Sequence, residues 1–123
     1  MIVLSKYTTL RFNNEFQRVY RWGQSFVHPA LVTYVMKNRG YGLRIGITTS
    51  KKIGKAVERN RAKRIITAAW RNLLPGVCGS YDIVFVARTL TTKLKSTDIE
   101  RIMKRQLISA GAIKAENHEV SVD

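Results

Sequence analysis

The sequence predicts an α+β fold in which helices cover a small mixed sheet. Three observations lead there. Segments rich in β-branched and aromatic residues alternate with segments of helical period, in the order helix, strands, helix, strand, helix. One strand-like segment is apolar almost without interruption, as a strand buried on both faces would be. Finally, 45% of the 123 residues are hydrophobic, enough for one packed core. A chain of this length makes a single domain, 1–123, with a flexible polar tail expected from about residue 114.

Taken in order, Asn13 or Asn14 can cap a first helix over 14–22, with Gly23 past its end. Phe12, Phe16, Val19 and Tyr20 have the spacing of one helical face. A short strand at 25–28 is confined to a sheet edge by Pro29. Segments 30–36 (ALVTYVM) and 43–49 (LRIGITT) read as strands, with Asn38 and Gly40 in the hairpin loop between them. A helix over 56–74 is stopped by Pro75 and Gly76. Segment 81–88 (YDIVFVAR) is the doubly buried strand. Thr97 and Glu100 make a capping box for a last helix whose apolar side carries Ile99, Ile102, Met103, Leu107 and Ile108, with Gly111 beyond it.

Charge speaks to partners rather than to fold. The chain has 22 Lys+Arg against 8 Asp+Glu, a formal net charge of +14. Its natural complement is a polyanion: RNA, DNA or an anionic membrane surface. The clustering of the cations favours nucleic acid. No apolar run approaches the ~18 residues of a membrane span, and the opening Met1 to Leu4 is too short for a signal peptide. Cys78 is the single cysteine, which excludes an internal disulfide and fits a reducing compartment; cytoplasm is the expected location.

The cations concentrate in Lys51, Lys52, Lys55, Arg59, Arg61, Lys63, Arg64 and Arg71, with Glu58 the one acid among them. On a helical wheel Ala62, Ile65, Ile66, Ala69 and Leu73 form one stripe, which should bury against the sheet. Asn60, Arg64, Thr67 and Arg71 fall opposite, flanked by Arg61 and Lys63. An ordinary solvated face mixes signs to gain i,i+4 pairs; this one does not. Upstream, Lys51, Lys52 and Lys55 surround Gly54, where backbone can come close to a phosphate ahead of a helix N-terminus. Arginine forks two donors onto a phosphate, and lysine acts as a point charge. Gly54-Lys55 is not a nucleotide-binding P-loop, because Thr49 stands where the first glycine belongs and Ala56 where Ser or Thr belongs.

The stretch Lys51-Lys52-Ile53-Gly54-Lys55-Ala56-Val57-x-Arg59-Asn60-Arg61-x-Lys63-Arg64 resembles the signature of the bacterial ribonuclease P protein subunit. Arg44-Ile45-Gly46-Ile47 before it and Asp82-Ile83-Val84-Phe85-Val86-Ala87-Arg88 after it are similar too, and the likeness runs from about residue 10 to 107. The resemblance implies a two-layer αβββαβα sandwich like the second domain of ribosomal protein S5, with a left-handed βαβ crossover against the usual right-handed rule. It implies an RNA-binding subunit of an endoribonuclease that removes the 5′ leader of precursor tRNA. Its partners would be the catalytic RNA and precursor tRNA, with no membrane and no protein partner required.

Carried onto this chain, the catalytic-RNA contacts fall on Lys55, Arg59, Asn60, Arg61, Lys63, Arg64 and Arg71. The cleft for the single-stranded leader falls on Phe16, Tyr20 and Tyr34, with Arg44, Lys51 and Lys52 as phosphate contacts. Read from the residues alone, the three rings are more readily core; the resemblance turns the reading to the cleft. Phe12 is assigned to the core. Thr67 and Ala68 depart from the family's usual Arg and Glu, and Glu116, Glu119 and Asp123 make the tail more acidic than usual.

A catalytic site in the polypeptide is not expected. Metal nucleases cluster carboxylates, whereas Glu15, Glu58, Asp82, Asp98 and Glu100 are scattered. His28 and His118 lie far apart, and no zinc-ligand spacing is present. The chain is expected to bind no cofactor of its own; the resemblance places the chemistry, and the Mg2+ it requires, with the RNA. A structural RNA-binding protein of ribosomal type is the alternative, and a stand-alone nuclease a third.

Overall fold

The computed structural model describes residues 6–115, so the expectations for the tail, including Glu116, His118, Glu119 and Asp123, lie outside the described residues. The strands are β1 (Tyr7–Thr9), β2 (Gln24–His28), β3 (Leu31–Lys37), β4 (Leu43–Thr48) and β5 (Tyr81–Ala87); the helices are α1 (Asn13–Trp22), α2 (Ala56–Leu73) and α3 (Ser96–Ser109). Short 3-10 turns at Lys51–Ile53, Leu74–Gly76 and Thr89–Lys93 link them. The sheet order is β1-β4-β5-β3-β2. Parallel neighbours β4 and β5 are joined through α2, and β3 runs antiparallel to both β5 and β2. The α+β class and mixed sheet are as predicted.

Each sheet face has its own cover. Leu31 and Val35 of β3, Ile45 of β4, and Ile83 and Phe85 of β5 alternate onto the face taken by α2 and α3, where they meet Ile66, Trp70, Ile99, Met103 and Leu107. The intervening residues face the other way, and α1 packs there through Val19, which with Leu10 and Val84 forms a second, smaller core. Central β5 is therefore buried on both faces, as its unbroken apolar run requires. A satisfied polar joint pins α3 to the far edge. Buried Gln106 accepts from the Thr33 hydroxyl at 2.6 Å and donates to the carbonyls of Phe26 and Leu31 at 3.0 and 2.9 Å.

Several local expectations are corrected. Strand β1 was not foreseen, since three residues carry no readable period. Phe12 is 66% exposed rather than core: it is the extended N-cap of α1 (φ −101°, ψ 145°), so its side chain does not lie on the helical wheel. The capping side chain of α1 is that of Glu15, which accepts from the backbone N–H of Arg11 and Phe12 at 2.9 and 3.0 Å, rather than that of Asn13 or Asn14. In α3 the capping acid is Asp98, reaching Lys95 N–H at 3.2 Å. Glu100 instead accepts from Asn72 of α2 at 3.0 Å.

Candidate nucleic-acid interface

The basic motif builds its own turn before it offers anything to a partner. Gly54 sits at φ 140°, a conformation that side-chain-bearing residues rarely adopt. Its carbonyl accepts from the Arg59 guanidinium at 2.7 Å, and Glu58 reaches back to Lys55 N–H at 3.1 Å to cap α2. Ala62, Ile66, Ala69, Trp70 and Leu73 bury one side of the helix. On the other side Asn60, Arg61, Lys63, Arg64 and Arg71 are exposed. Among the described residues none of these five side chains has a hydrogen-bond or ion-pair partner. Arg59 differs from its neighbours: half-buried and tied to Gly54, it shapes the turn. Where the resemblance leads one to expect Arg and Glu, Thr67 and Ala68 leave a shallow groove of about 320 Å³ between Lys63, Arg64 and Arg71.

The second surface lies on the α1 side of the sheet. Strand register arranges it in rows, because directly paired residues share a face. Gly46, Val84, Tyr34 and Ser25 form one row across β4, β5, β3 and β2. α1 lies over it. A Cβ on Gly46 would stand 2.4 Å from the Phe16 ring, so glycine is what lets Phe16 settle there. One helical turn on, the Tyr20 ring meets Tyr34 edge-on, with centroids 5.0 Å apart. Phe16, Tyr20 and Tyr34 are all half-buried, packed on the smaller core by part of their surface and open on the rest. The next row, Thr48, Val86, Val32 and Val27, continues toward the end where β4 leads into exposed Lys51 and Lys52. Val27 is 72% exposed there.

Arg44, expected as a cleft phosphate contact, belongs to the opposite end of that face and is engaged there by an acid of the fold. Its guanidinium forks onto Asp82, Nε to Oδ1 and Nη2 to Oδ2, each at 2.7 Å. It lies 3.7 Å from Glu15 and 5.0 Å from the centre of the Tyr41 ring. Asp82 is 1% exposed and takes a further hydrogen bond from Asn38 at 2.8 Å. The bond to Asp82 pushes the Arg44 pKa up from an already high value, so Arg44 is a permanent cation that seats α1, through Glu15, on the sheet. Sequence reasoning missed Glu15 and Gly46. An acid three residues after Phe12 was a readable capping signal; the place of Gly46 beneath a ring depends on tertiary packing alone.

Glu15 gives this seat a pH dependence. The backbone N–H of Phe12, then that of Arg11, hold its carboxyl below the ordinary value of 4.5; Arg44 adds a weaker pull, and burial and Asp82 oppose it. A carboxyl lowered by folding contributes stability that is complete above its unfolded pKa and fades as pH falls through the folded one. Urea unfolding from about pH 6 to pH 3 should show Glu15→Gln less stable than the parent at the upper end, with the gap closing on acidification. A gap that widens below pH 4.5 would contradict the capping role.

Among the described residues no helix is long and apolar enough to cross a membrane, and no three His, Cys, Asp or Glu side chains come together to hold a metal ion. The five acids among the described residues are spent on the fold: Glu15, Glu58 and Asp98 cap helices, Asp82 holds Arg44, and Glu100 holds Asn72.

Comparison with known proteins agrees with the fold. The family profile described as Ribonuclease P matches residues 4–111. A ribonuclease P protein component from Clostridioides difficile is 41% identical over 96 residues, covering 77% of this chain and 84% of the relative. One from Clostridium botulinum is 42% identical over 107 residues, covering 86% and 96%. Among solved structures, the Staphylococcus aureus RNase P protein superposes with a TM-score of 0.77 at 29% identity, covering 89% of this chain and all of that one. The Thermotoga maritima RNase P protein does so with 0.71 at 25% identity, covering 80% and 94%. With sequence family, relatives and fold in agreement, the chain belongs to the bacterial ribonuclease P protein-component family.

Proposed function

We propose that the chain binds the catalytic RNA of ribonuclease P through the outer face of α2 and holds the single-stranded 5′ leader of precursor tRNA against α1 and the sheet. The observation that carries this reading is the row of exposed cations on α2, free of internal partners among the described residues. Such a row repels itself until an anion lies on it. Lys51, Lys52 and Lys55, all exposed, extend the positive surface from α2 toward the sheet row at Thr48. Half-open rings at Phe16, Tyr20 and Tyr34 suit unpaired bases, since every base has a face that can stack.

The cutting is assigned to the RNA. Among the described residues the acids cap and brace, and their arrangement does not fit a magnesium site built by the protein. The polypeptide supplies placement of the leader and relief of phosphate repulsion between two RNAs; the product is the mature tRNA 5′ end. The setting in this reading is cytoplasmic.

Replacing Phe16 and Tyr20 by Ala tests the cleft. Each lost stack removes ~1–3 kcal/mol, so the double variant should bind precursor tRNA at least about thirtyfold more weakly while leaderless tRNA is nearly unaffected. Equal losses on both RNAs would favour a structural RNA-binding role of ribosomal type instead.

A further inference from the structure

We infer that the outward side of α1 is a second single-stranded RNA surface, which takes leader nucleotides lying upstream of those in the cleft; the inference rests on the cleft reading proposed above. Its centre is Trp22, the last residue of α1 and 71% exposed. The chain turns away immediately after it: Gly23 runs so close to the helix that a Cβ there would stand 2.5 Å from the Val19 carbonyl. Around it an open groove of about 650 Å³ is lined by Asn14, Gln17, Arg18, Tyr20, Arg21 and Trp22.

Among the described residues no carboxylate lines that groove. The one acid of α1, Glu15, is committed to the helix cap and lies 3.7 Å from Arg44. Arg18 and Arg21 are exposed, and among the described residues neither has an ion-pair partner. An uncovered indole among cations, with amides that can meet base edges, has the composition of a stacking platform for unpaired nucleotides. A duplex would keep its bases stacked on one another and leave the ring unused. Tyr20 joins the two surfaces: it lines the groove and its ring meets Tyr34 in the cleft. A strand leaving the cleft past Tyr20 passes onto Arg18, Arg21 and Trp22.

The chain carries two tryptophans, and Trp70 is 1% exposed, so quencher-accessible emission reports on Trp22. The holoenzyme, protein loaded with catalytic RNA, is titrated with precursor tRNAs bearing leaders of about four and about sixteen nucleotides, the span of known single-strand site sizes. The long leader should shield Trp22 from acrylamide and the short one should not. Trp22→Ala should weaken binding of the long-leader substrate ~10-fold, the loss of one stacked base, and leave the short-leader substrate unchanged; Trp22→Phe should keep most of the affinity. Equal acrylamide access with both leaders, equal effects of Trp22→Ala on both, or a loss of catalytic-RNA binding would overturn the inference. Phe16→Ala serves as the control for the cleft. Weakening of both substrates by it supports the cleft reading; no change in either defeats that reading while the Trp22 comparison still decides this one.

Discussion

Arg44→Met should cost roughly 3–5 kcal/mol of folding stability, the usual loss when one partner of a buried ion pair is removed. Asp82 would be left as a charge at 1% exposure with, among the described residues, the Asn38 amide as its remaining side-chain donor. Against a total of about 5–15 kcal/mol for a domain, that is a large fraction. The cause is stranded charge rather than lost attraction, so the double variant Arg44→Met with Asp82→Leu should recover most of the loss. Denaturant unfolding of the three proteins checks this. The single variant should also bind precursor tRNA less well, because Arg44 seats Glu15 and with it the helix that carries Phe16. A loss below about 1 kcal/mol, with binding weakened all the same, would return Arg44 to the role of a phosphate contact.

The second large effect is on affinity. Arg61→Ala with Arg64→Ala should weaken binding to the catalytic RNA about 100-fold, taking ~1.5 kcal/mol for each charge-assisted hydrogen bond to phosphate. The slope of log affinity against log salt should flatten by about one for each phosphate that is no longer neutralised. Stability should stay within about 0.5 kcal/mol of the parent, since both side chains are exposed and touch no acid among the described residues. Arg59→Ala is the informative contrast. It deletes the bond to the Gly54 carbonyl, so part of its effect should appear as reduced stability even without RNA. Unchanged affinity and salt slope in the double variant would remove α2 from the interface.

The α2 face was legible because a helix shows both of its sides in one-dimensional spacing. Ala62, Ile66, Ala69 and Leu73 lie buried as the wheel required, and Arg61 and Arg64 point outward. The double burial of β5 was legible for a similar reason: Ile83, Val84 and Phe85 follow one another without a polar break. What the spacing could not carry was any feature set by pairing across the sheet. Arg44 and Asp82 are direct neighbours in the β4–β5 register, and that register closes only after α2 has crossed between them. A free-looking cation thus became a bound one. Phe12 misled for a local reason: the helical period does not reach across the extended cap on which it sits. Phe16, Tyr20 and Tyr34, left open between core and cleft, are half-buried. They rest on Val84 and Leu10 and keep part of each ring in the open.

The most direct measurement is cleavage of precursor tRNA by the polypeptide freed of all RNA, set beside the same polypeptide reassembled with the catalytic RNA at equal magnesium. Intact substrate in the first reaction and a matured 5′ end in the second is the predicted result. Scission by the RNA-free polypeptide would contradict the assignment of the chemistry to the RNA, and with it the reading of this chain as a binding surface.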